Sequence, residues 1–305
     1  MRITDLTELL GYSKQAYYKK IKTYEKNTFQ EELVVSLVKE KRKLWKKGSG
    51  RNLHAALKTE FNKHSVKIGR DKFFDLLRNN GLLIKNKHRR TRTTFSYHRF
   101  HKYPNLIRNL NVERINQVIV TDITYLYLSG VDKFAYLFLV TDLFSRKVLG
   151  YNVSNNLSAK SGVKALKMAL KNMSDISNTI HHSDRGLQYC SNEYTEILRK
   201  NNIQISMTEN SDPLENAVAE RINKTLKEEF TTEKQISFTN YKKAKIIMKQ
   251  IINFYNKERP HRSLEYYTPN MAYKMNKILI RKWKAYYKNY PIDNDINLIY
   301  LGDNL

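Results

Sequence analysis

Residues 118–126, Val-Ile-Val-Thr-Asp-Ile-Thr-Tyr-Leu, place one acid, Asp122, in the middle of a run of β-branched and aromatic side chains. A run of this kind predicts a buried strand, which continues to residue 128. A carboxylate in a buried strand is costly unless something neutralises its charge. Asp122 is therefore a candidate ligand for a cation.

Two other acids lie in contexts that suit the same role. Asp184 follows a short apolar segment and precedes Arg185 and Gly186, where a strand stops and a turn begins. Glu220, separated from Asp184 by 35 residues, falls in a predicted helix over residues 217–230. An acid on a strand, one at a strand end and one on a helix can converge on a hard cation, which takes oxygen ligands.

The pattern around these acids predicts the order βββαβαβα. Strands are expected over residues 118–128, 134–142, 146–153, 179–182 and 204–207, and helices over residues 158–173, 192–201 and 217–230. This order indicates an α/β class but does not by itself name a fold.

An ordered set of short motifs runs from about residue 117 to 273 and, more weakly, back to about residue 50. The motifs are Thr121-Asp122-Ile123-Thr124-Tyr125, Thr141-Asp142-Leu143-Phe144-Ser145-Arg146, His182-Ser183-Asp184-Arg185-Gly186 with Gln188-Tyr189, Glu215-Asn216-Ala217-Val218-Ala219-Glu220, Leu226-Lys227-Glu228, Phe254-Tyr255-Asn256, Arg259, His261, Leu264 and Thr268-Pro269. In this order they resemble the second-reading-frame transposases of the insertion-sequence family numbered three, whose core is similar to that of retroviral integrases. The chain departs from the family at Ile119, usually Trp, and at Glu215, often Asp, and keeps all three acids.

The resemblance implies a ribonuclease-H-like integrase core with a five-stranded mixed sheet and flanking helices, preceded by small all-α helix-turn-helix modules. It also implies a transposase that cuts and joins DNA strands at the ends of an insertion sequence, with Asp122, Asp184 and Glu220 as catalytic residues and metal ligands. Two Mg²⁺ ions per site, about 3.5–4 Å apart, would activate the attacking oxygen and stabilise the leaving oxygen, and Mn²⁺ could substitute for them. Our hypothesis is that Asp122 bridges both ions and that the other two acids hold one each.

Residues that contact DNA are predicted from charge and from helix periodicity. Asn216, Glu220, Asn223 and Lys227 share one polar face of the predicted helix, and Lys227 resembles a DNA-contacting basic position of the family. Arg185 is expected to contact phosphate. A basic run is interpreted both as a solvated linker and as an arm that tracks phosphates; its cations are Lys85, Lys87, Arg89, Arg90 and Arg92.

The chain divides into five predicted parts. Residues 1–47 would hold a helix-turn-helix plus a long basic helix over 29–47, and residues 51–84 a second helix-turn-helix-like module after the linker 48–50. Residues 85–111 would be a basic linker, 112–232 the catalytic core and 233–305 a helical carboxy-terminal extension. Residues 291–305 are acidic and apolar and receive no role.

The net charge of +26 and the pI near 9.8 indicate a polyanionic partner. We expect double-stranded DNA, namely the terminal inverted repeats and the target. The family further implies a homo-oligomer on DNA and an upstream-frame helix-turn-helix partner protein. No apolar run approaches the ~20 residues that span a bilayer, so a membrane role is not expected. We expect a bacterial protein that is located in the cytoplasm and associated with the nucleoid.

Two alternatives remain at this stage. A catalytically silent DNA-binding regulator would keep the basic modules and would not cleave DNA. A tyrosine recombinase would account for His182-Ser183-Asp184-Arg185, which spells His-x-x-Arg, and would form a tyrosyl-DNA adduct without metal. That second reading leaves Asp122 and Glu220 unexplained.

Overall fold

The computed structural model describes residues 3–4, 7, 11–84, 99–209, 216–230 and 238–275. Its centre is a five-stranded mixed sheet in the order β3-β2-β1-β4-β5. The strands are β1 (Val118–Leu128), β2 (Lys133–Asp142), β3 (Val148–Ser154), β4 (Ile180–Ser183) and β5 (Gln204–Met207). The predicted α/β class with five strands and flanking helices is confirmed.

The first three strands form an antiparallel meander, and the last two add in parallel to β1. Parallel strands need a crossover connection, and helices supply it here. These helices are α4 (Ala159–Asn172), the short α5 (Leu187–Cys190) and α6 (Asn192–Lys200). They close one side of the sheet, where Leu166 and Tyr194 of the helices share a cluster with Phe138 of β2.

The other side of the sheet is covered by α7 (Ala217–Phe230) and α8 (Tyr241–Lys257). In β1 the residues with even numbers point to this side: Leu126 and Leu128 share a cluster with Leu226 and Ile251. Because side chains alternate along a strand, Asp122 also points toward α7. After α8, a short 3-10 turn (Arg262–Leu264) and α9 (Pro269–Lys274) complete the described carboxy-terminal part.

The amino-terminal region differs from the expectation. A single 31-residue helix, α1 (Lys14–Leu44), replaces the short second helix of the predicted helix-turn-helix and the separate helix over 29–47. The reason is local, because residues 14–44 contain neither Gly nor Pro and are rich in Lys, Glu and Gln. Ser13 caps the helix by accepting a hydrogen bond from the Ala16 amide. The predicted first helix over residues 6–10 lies almost entirely outside the described residues.

Two shorter helices, α2 (Gly50–Lys63) and α3 (Arg70–Asn79), follow as predicted. After the end of α3, Gly81 has a left-handed backbone conformation with φ +65°. The linker before α2 is tightly packed. A Cβ on Gly48 would lie 2.4 Å from the Trp45 ring, so only glycine fits there.

The helical module α1–α3 shares one hydrophobic cluster with the sheet and with α7 and α8. The cluster joins Val38, Trp45 and Leu53 to Leu126 and Phe230. The division of the chain into five separate parts therefore stays a prediction. None of the described helices has the length and apolarity needed to cross a bilayer.

Candidate active site

The register of β1 against β4 brings Asp122 and Asp184 to neighbouring positions. The last paired residues of these parallel strands are Val120 and His182. Each acid lies two residues farther along its own strand direction, and a step of two returns a side chain to the same face. Since neighbouring strands lie about 4.7–4.9 Å apart, the two carboxylates meet on the side of the sheet that faces α7.

Helix α7 carries the third acid to the same place. Ala219 packs with Val118 and Val120 on β1, which presses the first turns of the helix onto the strand. Asn223 Nδ2 then donates to Asp122 Oδ2 at 2.7 Å. Asn216 Nδ2 donates to the Thr121 carbonyl at 3.0 Å. Glu220 lies between these two asparagines on the helix, at the exposed rim of the site.

The charges of the three acids act on one another. Burial, followed by the charge of Asp184 and then that of Glu220, raises the pKa of Asp122 to about 7, although hydrogen bonds from Asn223 and the Ile123 amide oppose the shift. Partial burial and then the charge of Asp184 raise the pKa of Glu220. Burial lowers the pKa of Lys227, while the nearby charge of Asp122 opposes that change. The three carboxylates therefore form one electrostatic unit.

The donor set fits a hard divalent cation. Its three carboxylates supply only oxygen ligands, and a cation among them would offset the electrostatic repulsion between their negative charges. Within the described parts of the chain, no three His, Cys, Asp or Glu side chains are already drawn together as a metal site. The Asp122 oxygens accept hydrogen bonds from Asn223 and the Ile123 amide, and one Asp184 oxygen accepts from the Gly186 amide.

The integrase core domain family matches residues 112–213, and a second integrase core domain family matches residues 201–269. The chain is 31% identical over 215 residues to an uncharacterised 31 kDa protein of insertion element IS600 from Shigella sonnei, covering 70% of this chain and 78% of that protein. It is 34% identical over 154 residues to the transposase InsF of insertion sequence IS3A from Escherichia coli K12, covering 50% and 53% of the two chains.

The chain belongs to the transposases of the insertion-sequence family numbered three. It is accordingly an enzyme of the DDE polynucleotidyl transferase type. Among solved structures, the transposase is similar to the catalytic core domain of HTLV-2 integrase in complex with magnesium, at 14% identity and a TM-score of 0.40, covering 52% of this chain and 97% of that one.

The residues predicted to contact DNA occupy different environments in the transposase. Arg185 and Lys227 are half-buried beside the acids. Asn216 and Asn223 are buried, their amide groups donate to β1, and each keeps a buried Oδ1 that accepts no hydrogen bond within the described part of the chain. DNA contact stays a prediction for all four. The basic run that holds Lys85, Lys87, Arg89, Arg90 and Arg92 lies outside the described residues, as does Glu215.

Other titratable groups near the site have structural surroundings. Asp142, the last residue of β2, is fully buried and accepts hydrogen bonds from Ser145 and from the Asn116 amide. His181 bonds Tyr194 and His182 bonds Ser206, so the two rings point to opposite sides of β4. Burial raises the pKa of the Cys190 thiol to about 11, which leaves it a poor nucleophile.

One polar contact of the transposase has no counterpart in the sequence pattern. Glu229, near the end of α7, pairs with Arg259, which follows α8. The spacing of 30 residues between the two carries no local pattern, so periodicity could not have predicted the pair.

Proposed function

We propose that this transposase cuts DNA at the ends of its insertion sequence and joins the freed strands to target DNA at Asp122, Asp184 and Glu220. The reaction would be metal-dependent phosphodiester hydrolysis followed by transesterification, with the 35-residue spacing between the last two acids. The observation that supports the proposal most directly is the hydrogen bond from Asn223 to Asp122. It holds the helix that carries Glu220 against β1, and the last residue pair of β1 with β4, Val120 and His182, lies two residues before Asp122 and Asp184.

Asp122, Asp184 and Glu220 would hold two Mg²⁺ ions, with Mn²⁺ as a substitute, and Asp122 would be shared between them. When bound, such ions lower the pKa of an attacking water or 3′-hydroxyl and stabilise the charge on the leaving oxygen. The surrounding side chains prepare the acids for this role. Asn223 and the Ile123 amide stabilise the ionised form of Asp122, and the Gly186 amide orients Asp184.

Lys227 would counter the charge of the DNA phosphate next to the acids. Its ammonium group already feels the charge of Asp122, and a half-buried cation gains more from a nearby phosphate than an exposed one. Arg185, adjacent to Asp184, would contribute in the same way. The remaining excess of positive charge would bind double-stranded DNA without regard to sequence.

The working form would be a homo-oligomer that holds both terminal inverted repeats and the target, together with an upstream-frame helix-turn-helix protein. Action at the nucleoid, in the cytoplasm, is part of the same proposal. These partners follow from family membership and from the need to bring two DNA ends together.

The test is a nicking and strand-joining assay on DNA that carries the inverted repeats flanking the gene. The expected result is Mg²⁺-dependent nicking that Asp122→Asn, Asp184→Asn and Glu220→Gln each reduce by at least about 10³-fold. DNA affinity in a gel-shift assay should stay within about twofold, and Glu193→Gln, an exposed acid on α6, should behave as wild type. Turnover by any one of the three variants would refute the assignment. Binding without cleavage by the wild type would favour the silent regulator, and a tyrosyl-DNA adduct the recombinase.

A further inference from the structure

A buried polar cluster joins the end of α1, the end of α7 and the segment after α8. Its members are Trp45, Glu229 and Arg259, and we call it the Glu229 cluster. Glu229 Oε2 accepts hydrogen bonds from Trp45 Nε1 at 2.7 Å and from Arg259 Nε at 2.8 Å. Glu229 Oε1 accepts from Arg259 Nη2 at 2.6 Å. Three donors from two other elements thus converge on one carboxylate of the helix that carries Glu220.

The cluster is enclosed by apolar and backbone contacts. Trp45 is fully buried, and its ring stacks on Phe230 at 6.3 Å between centroids and contacts Phe254 at 5.6 Å. The Lys47 amide donates to the Glu229 carbonyl at 2.7 Å. The helical module α1–α3 therefore touches α7 through a backbone hydrogen bond, a charged network and stacked rings at one place.

The geometry of α7 gives this contact a consequence at the acids. Glu229 lies nine residues after Glu220, which is about 13.5 Å along the axis and half a turn around it. The two glutamates therefore point to opposite sides of one short helix. A rotation or slide of the helix at the Glu229 cluster moves Glu220 by a comparable amount, because the hydrogen-bonded helix between them does not deform easily.

Packing alone does not set that rotation uniquely. Apolar side chains tolerate small rearrangements at modest cost. A carboxylate that accepts three directed hydrogen bonds has far fewer acceptable orientations. Buried ion pairs are weak evidence for stability, and their best-attested use is to select one arrangement over its alternatives.

We propose that Glu229 is a positioning residue. Through its bonds to Trp45 and Arg259 it sets the rotation of α7 and the position of α7 along its axis. It thereby sets the position of Glu220 relative to Asp122 and Asp184. The amino-terminal helical module is thereby coupled to the acids. This inference rests on the proposed function of the three acids, and its test separates the two.

Three variants probe the cluster. Trp45→Phe removes the indole N–H together with the pyrrole part of the ring system and keeps one aromatic ring in the stack. Glu229→Gln is the more conservative change, because it removes the charge and keeps one acceptor, whereas Glu229→Ala removes both acceptors. The matched control is Glu228→Ala, the neighbouring acid, which is exposed and forms a 3.9 Å ion pair with Lys224.

At saturating DNA, the nicking rate should fall by about 2- to 30-fold in Trp45→Phe and Glu229→Gln, the range of couplings carried through packed elements. The Mg²⁺ concentration for half-maximal rate should rise by a similar factor, while the Kd for DNA stays within twofold. Glu229→Ala should be worse than Glu229→Gln, and Glu228→Ala should match the wild type. A purely structural role would lower the melting temperature without moving the Mg²⁺ dependence.

A second measurement does not need activity. Trp45 and Trp283 are the two tryptophans of the chain, so Trp283→Phe leaves Trp45 as the sole tryptophan fluorophore. Titration of this variant with Mg²⁺ in the absence of DNA should change Trp45 emission in a saturable way. The change should disappear when Asp122→Asn or Glu229→Gln is added.

The outcomes are distinct for the two proposals. If Trp45 responds to Mg²⁺ but the wild type cleaves nothing, the proposed reaction fails and the coupling stands. If the three acids are essential but Trp45→Phe and Glu229→Gln retain the wild-type rate and Mg²⁺ dependence, the positioning role is overturned. An emission unaffected by Mg²⁺ overturns it as well.

Discussion

Asn223 on α7 donates a hydrogen bond of 2.7 Å to Asp122 on β1, across 101 residues of sequence. The bond favours the ionised form of Asp122, and it fixes α7 against the strand at the level of the acids. It is the direct contact between the helix that carries Glu220 and the carboxylate at the centre of the sheet.

Asn223→Ala should lower metal-dependent nicking by about 10- to 100-fold, the usual effect of losing a partner that orients a metal ligand. Removal of the bond also takes away a contact that lowers the pKa of Asp122, so the optimum should move to higher pH. Rates measured from pH 6 to 9 check both effects. Asn192→Ala, at an exposed asparagine on α6, is the control, and equal rates for the two variants would contradict the role of Asn223.

The raised pKa of Asp122 predicts a pH dependence with a defined sign. Because a proton competes with a cation for the carboxylate, Mg²⁺ affinity should increase as the pH rises through about 7. Asp184→Asn removes the second largest cause of the shift, so it should lower the pKa of Asp122. Carboxyl ¹³C NMR of the metal-free protein measures that pKa, and an unchanged value in Asp184→Asn would argue against neighbouring carboxylates.

The raised pKa of Asp122 also predicts how the stability of the metal-free protein changes with pH. The folded pKa of Asp122, about 7, lies above the ordinary value of 3.8, so its contribution to stability is present below pH 4 and is lost as the pH rises through 7. At pH 8 without metal, Asp122→Asn should therefore raise the free energy of unfolding, by on the order of 1–3 kcal/mol.

Asp142→Asn should instead lower the free energy of unfolding, because of hydrogen bonds, although burial raises the pKa of Asp142 as well. The buried carboxylate accepts from the Ser145 amide, the Ser145 hydroxyl and the Asn116 amide, and an amide side chain cannot accept all three. The expected loss is about 1–3 kcal/mol. Urea denaturation at pH 8 compares the two variants, and a shift of the same sign in both would count against the separate roles of these aspartates.

Gly150 on β3 allows α4 to approach the sheet closely. A Cβ at this position would lie 2.2 Å from the Ala165 carbonyl oxygen and 2.5 Å from the Ala169 amide nitrogen, and neither backbone atom can move freely. Gly150→Ala should therefore cost about 1–3 kcal/mol of unfolding free energy.

Gly69→Ala is the matched control for that prediction. No atom lies within 4 Å of its added Cβ among the described residues, and its φ of −74° is accessible to any residue. Its effect should stay within about 1 kcal/mol, the cost of alanine in place of glycine at a helix N-cap. Denaturant midpoints for the two variants check the difference, and similar midpoints would show that the approach of α4 is not tight.

The local pattern of the chain determined the strand that carries Asp122, the strand end at Asp184 and the helix that carries Glu220. Alternating and helical periodicities depend on neighbours a few residues away, and for this reason the limits of β1 and α7 were predicted correctly. The ordered motifs then supplied the fold. The continuous α1 was not predicted, although neither Gly nor Pro interrupts residues 14–44.

Only the tertiary structure decided what each polar group does. Asp122 and Asp142 lie in similar strand contexts, yet the first faces two other acids and the second is enclosed by three hydrogen-bond donors. Glu229 and Glu228 are adjacent, yet the first is half-buried and bonded to Trp45 and Arg259 and the second is exposed. The physical reason is that burial and charge partners come from residues distant in sequence, and these meet only when the sheet, α7 and the amino-terminal helices pack together.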